Sequence, residues 1–525
     1  PQRRYPLRWR QTAMRTIFAS ILVLSGCTSD APETGDLGFV EGFLGGVMAD
    51  EPRAALIGRD TLSAGGSAVD ALVAAYFTMA VTLPGTAGIG GGGVCIVYDP
   101  TLERADAFEF LPGAPSSPDA RFAIPGNVRG MFAVHARYGI LNWQSLLLPA
   151  ERLARDGYPV SRAFAREIDA NAARLEQHPE TARALGVVQS AIREATLLEQ
   201  FQLSTMLSAI RVRGAGDFYQ GASARQFVEA VRQAGGEITL EDMRAYLPRL
   251  QAPLTAKVDN DTYYVSGGGG IVAGRVLTML MHDTLYADAD DGGARAHLLV
   301  ETSRRAYAAA ASGGEISISR DTAAQLMAGY DADRRSAAPA GADALPEAGA
   351  ASQNGASLVA VDQYGQVAAC GFTMGAPFGT AVLAPGTGIL LAPADAASAS
   401  VSQPAAMAVV NLVSEQTFFG AAIGGGSPVS LARTAADVRL RGVPVDAAIA
   451  AARLYDPARP DTVFHEPEME PGAAERLGAL GYPLESVPKL GRINGFYCPD
   501  GLPRTPVCAF VSDPRGFGLA ANADQ

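Results

Sequence analysis

The sequence predicts a layered globular protein, α/β or α+β in class, with helices covering β-sheet. Three observations predict it. Helical and strand patterns alternate on both sides of a central low-complexity run, residues 331–354. Of 525 residues, 48% are hydrophobic and 18% charged, which suits a substantial core and excludes a disordered chain or a fibre. Glycine runs fall between helices and strands, where tight backbone packing accounts for them.

From the N-terminus, Met14-Arg15 opens the apolar stretch "TIFASILVL", which ends in Leu24-Ser25-Gly26-Cys27. A charged start, a short apolar segment and small residues before a cut site describe an export signal. With Cys27 first in the mature chain, the pattern resembles a bacterial lipobox, and the resemblance implies a lipid on Cys27. The alternative is an ordinary cleaved signal with an incidental Cys. Residues 28–44 then read as a tether, and the residues before Met14 as an over-extended reading frame. No later segment is apolar for the eighteen or so residues a membrane helix needs.

"EPRAALIGRDTLSAGG" and "SAVDALVAAYFTMAV" read as two helices, the first stopped by Gly65-Gly66 and the second capped by Ser67. "GTAGIGGGG" precedes the strand "VCIVYD", the wrong order for a dinucleotide loop. The middle of the chain, to about Met281, is mostly helical, with a capped acidic start at Thr239. "YYVSGGGGIVAGRVLTML" gives strand, glycine turn and helix, without the Gly-Lys-Ser/Thr of a phosphate loop. Residues 331–354, rich in Ala and Pro without period, read as a linker. A strand begins at "GASLVAVD", "AMAVVNLV" follows, and the segment after "GGGSPVS" reads as two helices.

Charge and side-chain chemistry exclude several functions. A net charge of −12 with no basic stripe argues against nucleic acid. His135, His178, His282, His297 and His465 have no metal-ligand spacing, so neither metal nor cofactor is expected. No Gly-x-Ser-x-Gly elbow occurs. Cys498 and Cys508 flank a Pro/Gly turn and are expected to pair in an oxidising compartment. Cys95 and Cys370 read as small buried apolar residues in strands.

The longer patterns are more specific. "SAGGSAVDALVAAYFTMAVTLPGTAGIGGGGVCIVYD", "FAIPGNVRGMFAVHARYGILNWQSLLLPAERLARDGYPVS", "AGDFYQG", "AGGEITLEDMRAY", "PFGTAVLAPGTGILL", "GGGSPVS" and "SDPRG" resemble, in order, the gamma-glutamyltransferase family from about residue 45 to 517. The resemblance implies an α+β fold, the four-layer αββα sandwich of N-terminal nucleophile hydrolases. It also implies a large-subunit-like region over 45–330, an autocleavage region in the 331–354 linker and a small-subunit-like region over 355–525. In that family a new N-terminal Thr attacks the gamma-glutamyl bond, its own amine acting as base.

The departures decide the expected activity. Aligning the family's Thr-Thr-His-x-Ser-Val-Val-Asp on Asp362 places Gly355 at the nucleophile position. The substrate-binding positions fall on Leu111 in place of Arg, Gly375 within Thr373-Met374-Gly375, Ala397 in place of Asp, and Ala405-Ala406 in place of Ser-Ser. Gly425 and Gly426 match the pair whose amides form the oxyanion hole. Loss of a covalent nucleophile costs on the order of 10⁴ to 10⁶ in rate. Loss of the Arg clamp removes a contact worth roughly 1.5–3 kcal/mol. Ser352 and Ser357 are the alternative nucleophiles, Ser357 lying about 6.6 Å further along the same strand face.

The expectation is a gamma-glutamyltransferase-like exported lipoprotein of the bacterial envelope, periplasm-facing and held to the membrane by lipid on Cys27. It does not process itself and serves as a binding or accessory protein for a small-molecule ligand. The alternative is an active enzyme on glutathione or a related gamma-glutamyl amide. A binding module of unrelated fold is opposed by the collinear motifs.

Overall fold

The computed structural model describes residues 38–39, 42–187, 192–289, 291–312, 317–345, 355–397, 403–504 and 506–524. Cys27 and Ser352 lie outside them. Two seven-stranded sheets face each other. The first runs Leu519–Asp524, Phe43–Ala49, Gly355–Asp362, Val367–Thr373, Gly92–Asp99, Arg104–Phe110, Arg249–Gln251. The second runs Gly38–Phe39, Val507–Val511, Ile493–Leu502, Gln416–Ile423, Ala405–Asn411, Asp261–Val265, Leu254–Val258. Both sheets combine strands from before and after the linker, so the two regions form one sandwich.

Three apolar clusters define four layers. Between the sheets lie Met48, Ile96, Tyr98, Val359 and Val361 against Ala406, Ala408, Val410 and Phe496. The helix Ala68–Thr82, buried along its whole length, covers the outer face of the first sheet. Gly270–Leu280, Gly292–Ala311 and Val429–Arg441 cover the second. Alternate residues of the Gly355 strand reach opposite layers, Leu358 to the helices and Val359 to the facing sheet, as the pleat requires. This is the expected αββα sandwich.

Sequence signals set local structure where a side chain has one nearby partner. Ser67 closes a capping box with Asp70, and Thr239 one with Asp242. The buried helix gains further caps from the hairpin turn after the Gly355 strand: Asp362 accepts from the Ala68 amide and Gln366 from that of Val69. The Cys498–Cys508 disulfide is present.

One expectation needs correction. Cys95 and Cys370 are not free thiols but a disulfide, because neighbouring antiparallel strands bring them directly opposite each other, Cα atoms 4.1 Å apart. The described part of the linker, 331–345, is held to the fold by polar contacts. Ser336 donates its amide to Glu301, Arg335 pairs with Asp461, and Asp333 pairs with Arg476, docking it along the Gly292–Ala311 helix. Among the described residues no helix is long and apolar enough to cross a membrane.

Candidate functional site

Gly355 opens its strand at one end of the sandwich, opposite Thr373 and buried. Where a Cβ would stand there is backbone already: Gly424 O at 2.2 Å, Gly424 C at 2.3 Å and Phe372 O at 2.3 Å. The relation is mutual, since a Cβ at Gly424 would lie 2.1 Å from Ala356 O. The two segments therefore touch glycine to backbone, and the volume a side chain at either position would occupy is filled. Gly424 begins the turn through Gly425 and Gly426, the latter at φ +91°, that enters the helix Val429–Arg441. The structure thus brings Gly355, Thr373 and the Gly425-Gly426 turn to one place.

The other expected positions surround this place without forming a polar pocket. Thr373 Oγ1 accepts from the Gly375 amide at 3.0 Å, an intraloop bond. Gly375 is covered by Ala396 and Pro393, on the segment whose short 3-10 turn ends at Ala397. Ala405 and Ala406 are fully buried on opposite faces of their strand, one in the helix-side core and one between the sheets. Leu111 is three strands from Gly355, roughly 14 Å by strand spacing. It lines a separate cavity of about 450 Å³ with Glu109, Asp242, Tyr246 and Arg249, and its carbonyl accepts from the Tyr246 hydroxyl.

What does surround Gly355 is a buried ionic network that no sequence spacing suggested. Arg492 donates to the Gly355 carbonyl at 3.1 Å and to Glu167 at 3.0 Å, with Asp50 3.5 Å away. Asp50 accepts from the Ser357 amide and from Asn494. Asp513 takes the Ile493 amide and pairs with Arg453 and Arg515. Burial pushes the carboxyls of Asp50 and Glu167 up, with Arg492 pulling both back. Arg492 and Asn494 flank Ile493 at the start of the strand Ile493–Leu502, and Asp513 and Arg515 lie in "SDPRG"; polar and charged residues in such positions were the signal available.

Ser357 belongs to this network. Its hydroxyl is fully buried and accepts from Asn494 at 2.9 Å. A nucleophile needs a base within reach and access to substrate. The Asp50 oxygens are engaged by the Ser357 amide and Asn494, so the geometry gives Ser357 a structural part.

Comparison with known proteins places this arrangement. A sequence profile described as Gamma-glutamyltranspeptidase matches residues 54–523. The Pseudomonas aeruginosa protein named glutathione hydrolase proenzyme is 28% identical over 532 aligned positions, covering 90% of this chain and 94% of that one. Glutathione hydrolase 3 of Arabidopsis thaliana is 31% identical over 291, covering 51% of this chain and 45% of that one. The chain spans about half the length of that relative and of several others. In fold it is similar to cephalosporin acylase from Bacillus halodurans, TM-score 0.80 at 20% identity, covering 94% and 98% of the two chains. With 470 consecutive residues inside the profile and the sandwich that goes with them, the chain belongs to the gamma-glutamyltranspeptidase family.

Proposed function

We propose that this is an exported, lipid-anchored member of the family that stays a single chain. It turns over gamma-glutamyl substrates little or not at all and acts as a binding or accessory protein in the bacterial envelope. One observation carries the reading: at Gly355, the position aligned with the family nucleophile, there is no side chain and the space for one holds the Gly424 carbonyl. A hydroxyl there is needed twice, to cut the chain and to attack substrate, and both steps fail without it. The apolar substitutions at Leu111, Ala397, Ala405 and Ala406 support the same reading, because they leave a zwitterionic amino acid without its charge partners. Export is supported by the Met14–Cys27 pattern and by two disulfides, which persist in oxidising compartments.

The test is chromophore release from a gamma-glutamyl anilide by the purified chain. Release at the protein-free background is expected. Robust release that disappears in Ser352→Ala or Ser357→Ala would establish a displaced nucleophile and overturn the proposal.

A further inference from the structure

The end of the sandwich opposite Gly355 carries a different feature. Strand registers place the turns after Asp99, Asp362, Asn411 and Leu502 together at that end. Val367 pairs with Tyr98, Leu502 with Thr417, and the Thr417 hydroxyl donates to the Gly365 carbonyl, tying hairpins of the two sheets. Three of these turns present large apolar side chains to solvent: Leu102 at 57% exposure, Tyr364 at 65%, and Leu412 with Val413 at 41% and 89%. Ile140, 70% exposed, stands beside them across a cavity of about 640 Å³ that Leu102 and Tyr364 also line.

Hairpin tips gain nothing for the fold by exposing such residues. Scattered single exposures are ordinary, but several on adjacent tips mark a contact surface. The chain also enters the described fold near this end, where Phe39 pairs with Val507 beside the turn after Leu502 and Phe43 pairs with Asp524. Cys27 precedes Gly38 by eleven residues, so its backbone lies within about 40 Å of Gly38 however the chain runs.

We propose that this end is a membrane-docking face, its Leu102, Tyr364, Leu412 and Val413 tips resting in the headgroup layer of the bilayer that holds Cys27. The inference rests on the lipoprotein reading above and adds the orientation: the Gly355 end faces away from the membrane. Exposed charges among the tips are mixed, Glu103, Glu415 and Asp500 beside Arg104 and Arg504, which suits a neutral headgroup layer rather than an anionic one. The burial is that of side chains at the interface, in addition to the lipid's own anchoring.

The experiment uses the full chain, expressed in an exporting bacterium and reconstituted on phosphatidylcholine vesicles. An environment-sensitive fluorophore is attached at Val413→Cys, at Tyr364→Cys, or at Phe517→Cys on the Gly355 end. Expected are a blue-shifted emission and protection from iodide quenching at 413 and 364, with neither at 517. The shift at 364 should be lost when Leu102→Glu and Val413→Glu are combined. Equal emission at all three sites on vesicle-bound protein overturns the docking face and leaves the anchor intact. The mass of the N-terminal peptide reports the anchor separately: an unmodified Cys27 removes the anchor and the docking face with it. A shift that appears without vesicles as protein concentration rises assigns the tips to a second copy of the chain and overturns the proposal.

Discussion

Restoring the missing side chain is the most revealing perturbation. In Gly355→Ala a Cβ enters 2.2 Å from Gly424 O and 2.3 Å from Phe372 O, where real Cβ contacts essentially never fall below 3.0 Å. The strand or the Gly424 turn must retreat by about 0.8 Å, and both contacts are backbone, Phe372 within a buried strand and Gly424 in the turn that follows one. Overpacking of this kind costs about 1–3 kcal/mol, and Gly355→Thr, with two further heavy atoms, costs at least as much. Gly478→Ala is the control: no atom lies within 4 Å of its Cβ position, so the helix is unchanged or gains up to about 1 kcal/mol. Urea unfolding of the three variants beside the parent measures the difference. Gly355→Thr is also expected to remain one chain, since the hydroxyl arrives with the site displaced. A Gly355→Thr protein as stable as the parent, and cut ahead of residue 355, would refute the reasoning: the Gly424 carbonyl would then yield, and the site would lack only its Thr.

The other predictions concern the surrounding network and the disulfides. Arg492→Met leaves Asp50 and Glu167 buried without their shared cation and should destabilise by about 3–5 kcal/mol, read by the same unfolding assay; an unchanged midpoint would remove the network's structural role. Asp362, 5% exposed, has its carboxyl pushed up to about 6 by burial, against the amides of Ala68, Gln366 and Tyr364 that pull it down. A raised carboxyl favours the fold below its unfolded value of 3.8, and that contribution, at most about 3 kcal/mol, is lost as pH rises through 6. Asp362→Asn should therefore flatten stability between pH 4 and 6 relative to the parent. Because Cys95 and Cys370 lie on opposite sides of the linker, a chain nicked in the linker by added protease should run as one band without reductant and as two with it; two bands without reductant would show the disulfide absent.

What was legible in the sequence depended on distance along the chain. Ser67 and Thr239 announce their helices because the partner carboxylate stands three residues on. Cys498 and Cys508, ten apart across a turn, could be paired by inspection. Cys95 and Cys370, 275 apart, could not, because their pairing follows from a strand register that no local pattern encodes. The Gly355 strand was placed by a collinear motif, and its emptiness by a single letter. The network around it, drawn from Asp50, Glu167, Arg492, Asn494 and Asp513, exists only once the sandwich has assembled. The docking of 331–345 was hidden for a related reason: its composition is that of a spacer, and Ser336 and Arg335 find partners on a helix and a loop remote in sequence.

The central claim is that Gly355 leaves this family member unable to cut itself. Electrophoresis of the purified chain after full reduction, with intact mass, tests it most directly. A single species that runs unbroken through residues 351–357 is the predicted result. Two fragments meeting within 351–357, the smaller beginning with a Ser or another residue bearing a nucleophile, would contradict it.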